Sequence, residues 1–255
     1  MATATFRFHG ELNDFLAPFR RRAEFTATLA RAASAKHMIE ALGVPHTEVE
    51  AILVNGASVG FEHALADGDR VEVHPRRGLP DVHPLACLRP QLPRPPRFIA
   101  DAHLGGLARL LRLAGFDTRY DNGIRDDDLV AIALCEGRVV LSRDRELLKR
   151  GALIHACFVH ALKPERQFAE IVLRLELAAQ ARPFSLCLAC NAPLRSVARA
   201  EVLERLPERV RERHECFTTC DGCGRVFWAG SHWRAMRAVL AAAGLERSET
   251  EGNDV

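Results

Sequence analysis

No window of the chain approaches the roughly 20 apolar residues of a membrane-spanning helix. The opening MATATFRFHG also lacks a basic stretch followed by an apolar one, so neither membrane insertion nor export is expected. Lysine is scarce: of 35 basic residues only Lys36, Lys149 and Lys163 are lysines. Genome composition explains that bias as readily as function does, although arginine suits bidentate phosphate contact. A marked excess of charge of one sign is lacking too. A net charge of +2 does not mark the whole chain as a polyanion binder, so any grip on phosphate must come from local clusters. The expectation is a soluble cytoplasmic protein with no membrane partner. With 255 residues, 48% of them apolar, it can bury a real core as one large domain or as two to three small ones.

Proline is concentrated in one place. Seven of the 13 fall between Pro75 and Pro96, in PRRGLPDVHPLACLRPQLPRPP, which can form neither a long helix nor an internal strand. This stretch reads as a linker over residues 77–96. Before it, Thr3 to His9 alternates as a strand, Ser34 to Leu42 has a helical apolar stripe, and AILVNG ends a strand on an Asn-Gly turn. LADGDRVEVHP then adds an Asp-Gly turn and a last alternating strand. Strand, helix, strand, turn and strand in this order, with VNG and DGDRVEV, resemble the β-grasp ubiquitin-like family that includes the bacterial sulfur carriers. The resemblance implies a domain over residues 1–76. The carriers react through a free C-terminal Gly-Gly, whereas here Pro75 leads into Arg76, Arg77 and Gly78. Docking of a protein partner or structural support is therefore expected in place of sulfur transfer.

Beyond the linker, short apolar runs alternate with helical stripes. FIAD, FDTRY, RVVLS and LIHACFV read as strands. Leu104 to Ala114, Asp126 to Glu136, a turn over Glu146 to Arg150, and Pro164 to Ala181 read as helical. That alternation implies a parallel sheet with helices on its faces, in an α/β domain over residues 97–182. In such sheets ligands gather beyond the carboxyl ends of the strands. Asp101 ends its strand, Asp144 follows its strand by two residues, and Asp126, Asp127 and Asp128 open a helix on the same side. Three carboxylates converging there suit Mg²⁺ or Mn²⁺, hard ions that take oxygen ligands and retain water. Arg109, Arg112, Arg143, Arg145, Lys149 and Arg150 lie nearby in sequence and can hold a phosphate backbone. Each acid has a plainer role open to it. Asp126 can cap its helix, Asp144 can cap the Glu146 turn, and Asp117 and Asp121 can shape turns.

The run FIADAHLGGLARLLRLAGFDTRYDNGIRDDDLVAIALCEGRVVLSRDRELLKR resembles the PIN-like ribonuclease family known as the Mut-seven C-terminal RNase domain. Its marks are Asp at the end of the first strand, a leucine-rich helix, Gly-aromatic-Asp-Thr, an acidic helix start and Ser-Arg-Asp with Glu-Leu-Leu after it. The resemblance implies RNA phosphodiester hydrolysis by an acidic cluster holding Mg²⁺ or Mn²⁺, with Asp101, Asp126 and Asp144 in catalytic and metal-binding positions and Asp121 or Glu136 as a candidate fourth acid. Arg109, Arg143, Arg145 and Lys149 are the expected contacts to RNA, taken to be single-stranded. A noncatalytic RNA- or ribosome-binding adaptor is the competing reading.

Four of the eight cysteines form Cys187-Leu-Ala-Cys190 and Cys220-Asp-Gly-Cys223, the two knuckles of a structural zinc ribbon. The spacing between them is long for a ribbon, and EVLERLPERVRER can fill it as a helical excursion. Cys216, His214 and His232 lie close enough to replace one thiolate, and Cys87, Cys135 and Cys157 are read as free or buried thiols. The ribbon is expected over residues 183–245. In GRVFWAGSHWRAM, Phe227, Trp228 and Trp233 can stack bases or pack a core. The acidic end, Glu246 to Val255, is expected to be disordered. The expected architecture is thus α/β: a PIN-like parallel sheet domain, preceded by a β-grasp domain and followed by a small zinc ribbon.

Overall fold

The computed structural model of the chain describes residues Met1–Leu245; the disorder expected for residues 246–255 lies outside the described residues. They form two compact units, one made of residues 1–93 and 125–158, the other of residues 94–124 and 159 onward. Among the described residues no helix is long and apolar enough to cross a membrane.

The first unit opens with β1 (Thr3–Phe8), β2 (Phe25–Thr28), helix α1 (Ala35–Ala41), β3 (Ala51–Val54), β4 (Ala57–Val59) and β5 (Arg70–His74). They form one sheet in the order β2-β1-β5-β3-β4, with β1 parallel to β5 and its other pairs antiparallel. Alternation decides the faces. Phe6, Phe8, Val71 and Val73 are buried with Ile39 and Met38 of the helix, whose first turn is capped by Ser34 Oγ accepting from the His37 amide at 3.3 Å. The Asn-Gly expectation holds: Asn55 and Gly56 both have positive φ, 53° and 82°, and join β3 to β4 as a tight hairpin. Strands β2 and β4 were not expected. Both are sheet edges of four and three residues, too short to show alternation. The proline-rich segment is irregular throughout but not loose. Arg89 Nη1 donates to the Thr47 carbonyl, its Nη2 donates to Glu50 Oε2 at 2.9 Å, and the Ala86 amide donates to Ser58 Oγ.

Next along the chain come β6 (Phe98–Ala100), α2 (Gly105–Leu113) and β7 (Thr118–Tyr120), where β6 pairs with β7 in parallel. Gly115, at φ +87°, ends α2; a Cβ there would stand 2.1 Å from the Arg182 carbonyl oxygen, so only glycine allows that approach. Helix α3 (Asp126–Glu136), β8 (Val139–Ser142), α4 (Arg145–Leu148) and β9 (Ala156–Phe158) return to the first unit, with β8 parallel to β9. All residues of β8 and β9 are buried, as parallel strands covered on both faces should be. In this unit the β-grasp part packs on α4 and β9. In His46–Glu48, a single helical turn, His46 Nε2 lies 3.1 Å from the Leu153 carbonyl, Thr47 Oγ1 donates to the Leu148 carbonyl, and Glu48 Oε1 accepts from the Phe158 amide at 2.7 Å.

Helix α5 (Pro164–Arg174) belongs to the second unit. It stops well short of the expected Ala181, because Glu176 turns left-handed at φ 54° and drives Leu177 into the core. A Cβ on Gly106 of α2 would meet Pro164 Cγ at 2.6 Å, which is how closely α2 and α5 pack. The ribbon follows: β10 (Leu194–Val197), α6 (Arg199–Val202), α7 (Glu208–Arg211), β11 (Phe217–Cys220), β12 (Val226–Trp228) and α8 (Ser231–Ala242). The three strands form an antiparallel sheet in the order β10-β11-β12. The expected helical excursion is present, broken into short turns at Pro207. Its Val202 and Leu206 pack on Val197 and Phe217.

Candidate functional site

Asp126 is the first residue of α3, but Arg125 occupies the capping position and makes no side-chain cap, so the capping alternative for Asp126 does not hold. Asp126 is half-exposed, and its Oδ2 lies 3.7 Å from Arg150 Nη2. Asp127 accepts a hydrogen bond from Arg150 Nη1; that bond, with the charge of Arg150 behind it, holds the Asp127 carboxyl below the usual carboxylate range. Asp144 does cap α4. Its Oδ1 accepts from the Glu146 amide at 2.8 Å and from the Leu147 amide at 3.4 Å, while its own amide donates to Ser142 Oγ at 2.9 Å. Both capping bonds fall on one oxygen, Oδ1, and Oδ2 takes no part in the cap. Asp127, Asp126 and Asp144 all act on the Arg150 guanidinium and raise its pKa, the Asp127 bond most. Asp126 and Asp144, 18 residues apart in sequence, thus both act electrostatically on one guanidinium in the first unit.

Asp101 directly follows β6 in the second unit, and its carbonyl accepts from the Leu104 amide at 2.9 Å. The fourth-acid candidates have other partners. Asp121 Oδ1 accepts from the Gly123 amide at 2.9 Å, forming a turn. Glu136 Oε2 accepts from Arg138 Nε at 2.6 Å.

The basic candidates divide. Arg145 Nη1 and Nη2 donate to the carbonyls of Phe15 and Asp14, and the guanidinium lies over the rings of Phe15 and Phe158. Lys149 Nζ pairs with Glu146 Oε1 at 2.7 Å. Arg143 is half-buried next to Ser142. Arg112 is a correction. It is 6% exposed and donates to the carbonyls of Thr118, Leu188 and Ala189, so it builds the ribbon and is shut off from phosphate. Burial above all pushes its pKa down.

Arg109 leaves α2 on an exposed face and lines a cleft of about 500 Å³ with Phe184, Phe217, Phe227, Trp228 and Trp233. Phe184 and Trp233 stack with centroids 5.6 Å apart, and Arg237 covers Trp233 at 4.9 Å. Helix α8, which carries Trp233, was missed in the sequence because its only fully buried apolar residue is Leu240, so no apolar stripe marks it. The cleft combines a cation with aromatic faces, the chemistry that takes unpaired bases.

The paired cysteines come together. Sγ of Cys187 lies 3.6 Å from that of Cys223, Sγ of Cys190 lies 3.3 Å from that of Cys220, and all four lie within 4.8 Å of one another. Tetrahedral bonds of ~2.3 Å would separate the sulfurs by about 3.8 Å, so the group can hold a metal ion with little movement. Cys216, His214 and His232 are not part of it; Cys216 and His232 line the aromatic cleft. Burial opposes ionisation of Cys220, but amide donors of Cys223 and Gly222 and the neighbouring thiols outweigh it and bring the pKa down to about 7. The first knuckle is also tied to β7, since Asn191 Oδ1 accepts from the Thr118 amide at 3.0 Å and Asn191 Nδ2 donates to Asp117 Oδ1.

Two family profiles match the chain, the Mut7-C RNAse domain over residues 96–240 and the Mut7-C ubiquitin over residues 1–79. Among solved structures the chain is similar to small archaeal modifier protein 1 of H. volcanii and to a putative molybdopterin converting factor, subunit 1, of Pyrococcus furiosus. Each is 19% identical with a TM-score of 0.24, over 29% of this chain and 98% of the other. None of the curated proteins is similar to this chain.

Proposed function

Because this chain belongs to the Mut7-C RNase family and carries that family's ubiquitin-like domain in front, we propose that it hydrolyses RNA phosphodiesters with a divalent ion held by Asp101, Asp126 and Asp144. The observation that supports the proposal is that Asp126 lies 3.7 Å from Arg150, a guanidinium that also feels the charge of Asp144, the acid just beyond β8. Their donors are hard oxygens, Asp126 is half-exposed, and Asp144 keeps one oxygen unused by its helix, the donor chemistry that Mg²⁺ or Mn²⁺ takes. When bound, such an ion lowers the pKa of a water and stabilises charge developing on a phosphate. The chain's own part is positional. Ser142 fixes the Asp144 backbone, α4 fixes its carboxylate, and Arg150 pairs with Asp127 and stands beside Asp126.

The proposed RNA contacts are Arg109, Arg143, Arg145 and Lys149, with Arg145 using the donors that Phe15 and Asp14 leave. The aromatic cleft beside Arg109 would accept single-stranded bases, and zinc in the four-cysteine group would fix that cleft's sheet. The ubiquitin-like domain would dock a protein partner, in a cytoplasmic setting. One observation favours a different reading, the noncatalytic adaptor: Arg150 stands beside Asp126 and Asp127 as their counter-charge, where an ion would otherwise sit. Cleavage of single-stranded RNA with Mn²⁺ by the full chain, and its loss in Asp101→Asn, supports the nuclease. RNA binding of equal strength in both proteins, with no cleavage by either, would establish the adaptor.

A further inference from the structure

We propose that His9, Glu72 and His74 form a second metal site, one that takes a single late first-row divalent ion, zinc foremost, where β1 and β5 end. The strand register builds it. β1 runs parallel to β5 with Arg7 opposite Glu72 and Phe8 opposite Val73, so the next pair is His9 and His74, while Glu72 shares their face two residues earlier. His9 Nε2 lies 3.1 Å from Glu72 Oε2, and His74 Nε2 lies 3.9 Å from the same oxygen. One ligand atom from each residue lies within 4.8 Å of the others.

His74 points to a ligand independently of that cluster. It is 5% exposed, yet neither of its ring nitrogens has a hydrogen-bond partner among the described residues. The Gly78 backbone approaches the ring without completing a hydrogen bond. Buried polar atoms are almost always satisfied, and an imidazole with no partner is a lone pair in need of one. Two imidazoles and one carboxylate, with no thiolate, form the mixed donor set that zinc accepts with an open position. The two rings stack at 4.0 Å with planes 9° apart, and parallel planes cannot both point at one ion. His9 must therefore turn, and with a side chain 28% exposed it has room to do so while His74 stays in place. A bound ion would clip the end of β1 to the end of β5, where the chain leaves the sheet.

The test counts metal and does not depend on the ribonuclease reading. The full chain is first brought to one zinc per molecule, which the four cysteines retain, and is then titrated with zinc by calorimetry, with metal content read by mass spectrometry. The expected result is one further equivalent in the parent chain, with both imidazoles shifting together in the NMR spectrum. His9→Gln, at a partly exposed position that does not threaten folding, should bind that equivalent at least tenfold more weakly, and His74→Gln should lose it as well. A parent chain that takes no second equivalent, or a His9→Gln chain that titrates like the parent, overturns the proposal.

Discussion

Arg145 and Phe15 are joined twice: Arg145 Nη1 donates to the Phe15 carbonyl at 3.1 Å, and the guanidinium carbon lies 5.1 Å from the centre of the Phe15 ring. The same guanidinium reaches the Phe158 ring, which packs edge-on against Phe15. Arg145 thus fastens α4 to the helical turn that follows β1 in the ubiquitin-like domain. Arg145→Ala should lower unfolding stability by about 1–2 kcal/mol, from the lost charged hydrogen bonds and ring contact. That corresponds to roughly 2–4 °C in Tm per kcal/mol for a chain of this size. Arg145→Lys should recover little, since a point charge cannot reach two carbonyls and lie flat on a ring. Differential scanning calorimetry decides the matter; an unchanged Tm would assign Arg145 to RNA alone.

Arg150 stands beside Asp126, one of the acids proposed to hold an ion, and pairs with Asp127, which is not one of them. If an ion and the guanidinium compete for Asp126, Arg150→Gln should lower the Mn²⁺ concentration that half-saturates the site severalfold, whereas Asp126→Asn should abolish saturation. Asp127→Asn, removed from the proposed ligand set, should act only through the release of Arg150. Mn²⁺ binding followed by electron paramagnetic resonance separates the three variants. Weaker ion binding in Arg150→Gln would instead make the arginine part of the site's scaffold.

These partnerships mark the limit of what the sequence disclosed. Binary patterning and turn residues were enough for β1, α1, β3 with its Asn-Gly turn, β6 to β9 and the two cysteine knuckles, because each follows from a local period or spacing. Asp144 was legible both as a strand-end acid and as a cap, and it does cap α4. What was not legible depends on long-range contact. An arginine six residues after Asp144 reads as a phosphate ligand until the fold sets it against Asp126 and Asp127. Arg112 reads as a surface cation of α2, yet the ribbon, more than 70 residues later, buries it under two knuckle carbonyls. His9 and His74 are 65 positions apart, and only the parallel register of β1 and β5 makes them neighbours.

Acid should weaken the packing of the ubiquitin-like part on α4 and β9. His46 Nδ1 lies 2.7 Å from Glu40 Oε1 and its Nε2 lies 3.1 Å from the Leu153 carbonyl, but burial outweighs both acceptors and lowers the His46 pKa below 6.5. A group whose folded pKa is depressed stabilises the fold fully above its unfolded pKa and loses that contribution as pH falls through the folded one. His74 and His155 shift the same way, again chiefly through burial. Unfolding free energy measured in urea should therefore be flat above about pH 7 and decline below about pH 6.5. His46→Gln should reduce that slope without abolishing it, and a stability that rises on acidification would contradict the assignment.

The ribbon should lose its metal through a residue that is not a ligand. Arg112 reaches from α2 to the Leu188 and Ala189 carbonyls, inside the first cysteine knuckle, and to the Thr118 carbonyl at the start of β7. Its positive charge also faces Cys187 and Cys190. Arg112→Met keeps the aliphatic length but strands three carbonyls and removes the charge that favours thiolates over thiols. The expected cost is about 2–4 kcal/mol of stability, since a buried charged donor is lost with its partners left behind. Faster zinc release to a chelator should accompany it. Cys135→Ser, at an exposed thiol outside the cluster, should change neither quantity. Cys223→Ser should lose zinc outright, because one thiolate is missing from a closed tetrahedral shell. Chelator-driven release monitored with a zinc dye orders the variants: parent and Cys135→Ser slowest, Arg112→Met faster, Cys223→Ser without bound zinc at the start. An Arg112→Met chain that releases zinc at the parent rate would show that the knuckle keeps its shape without α2.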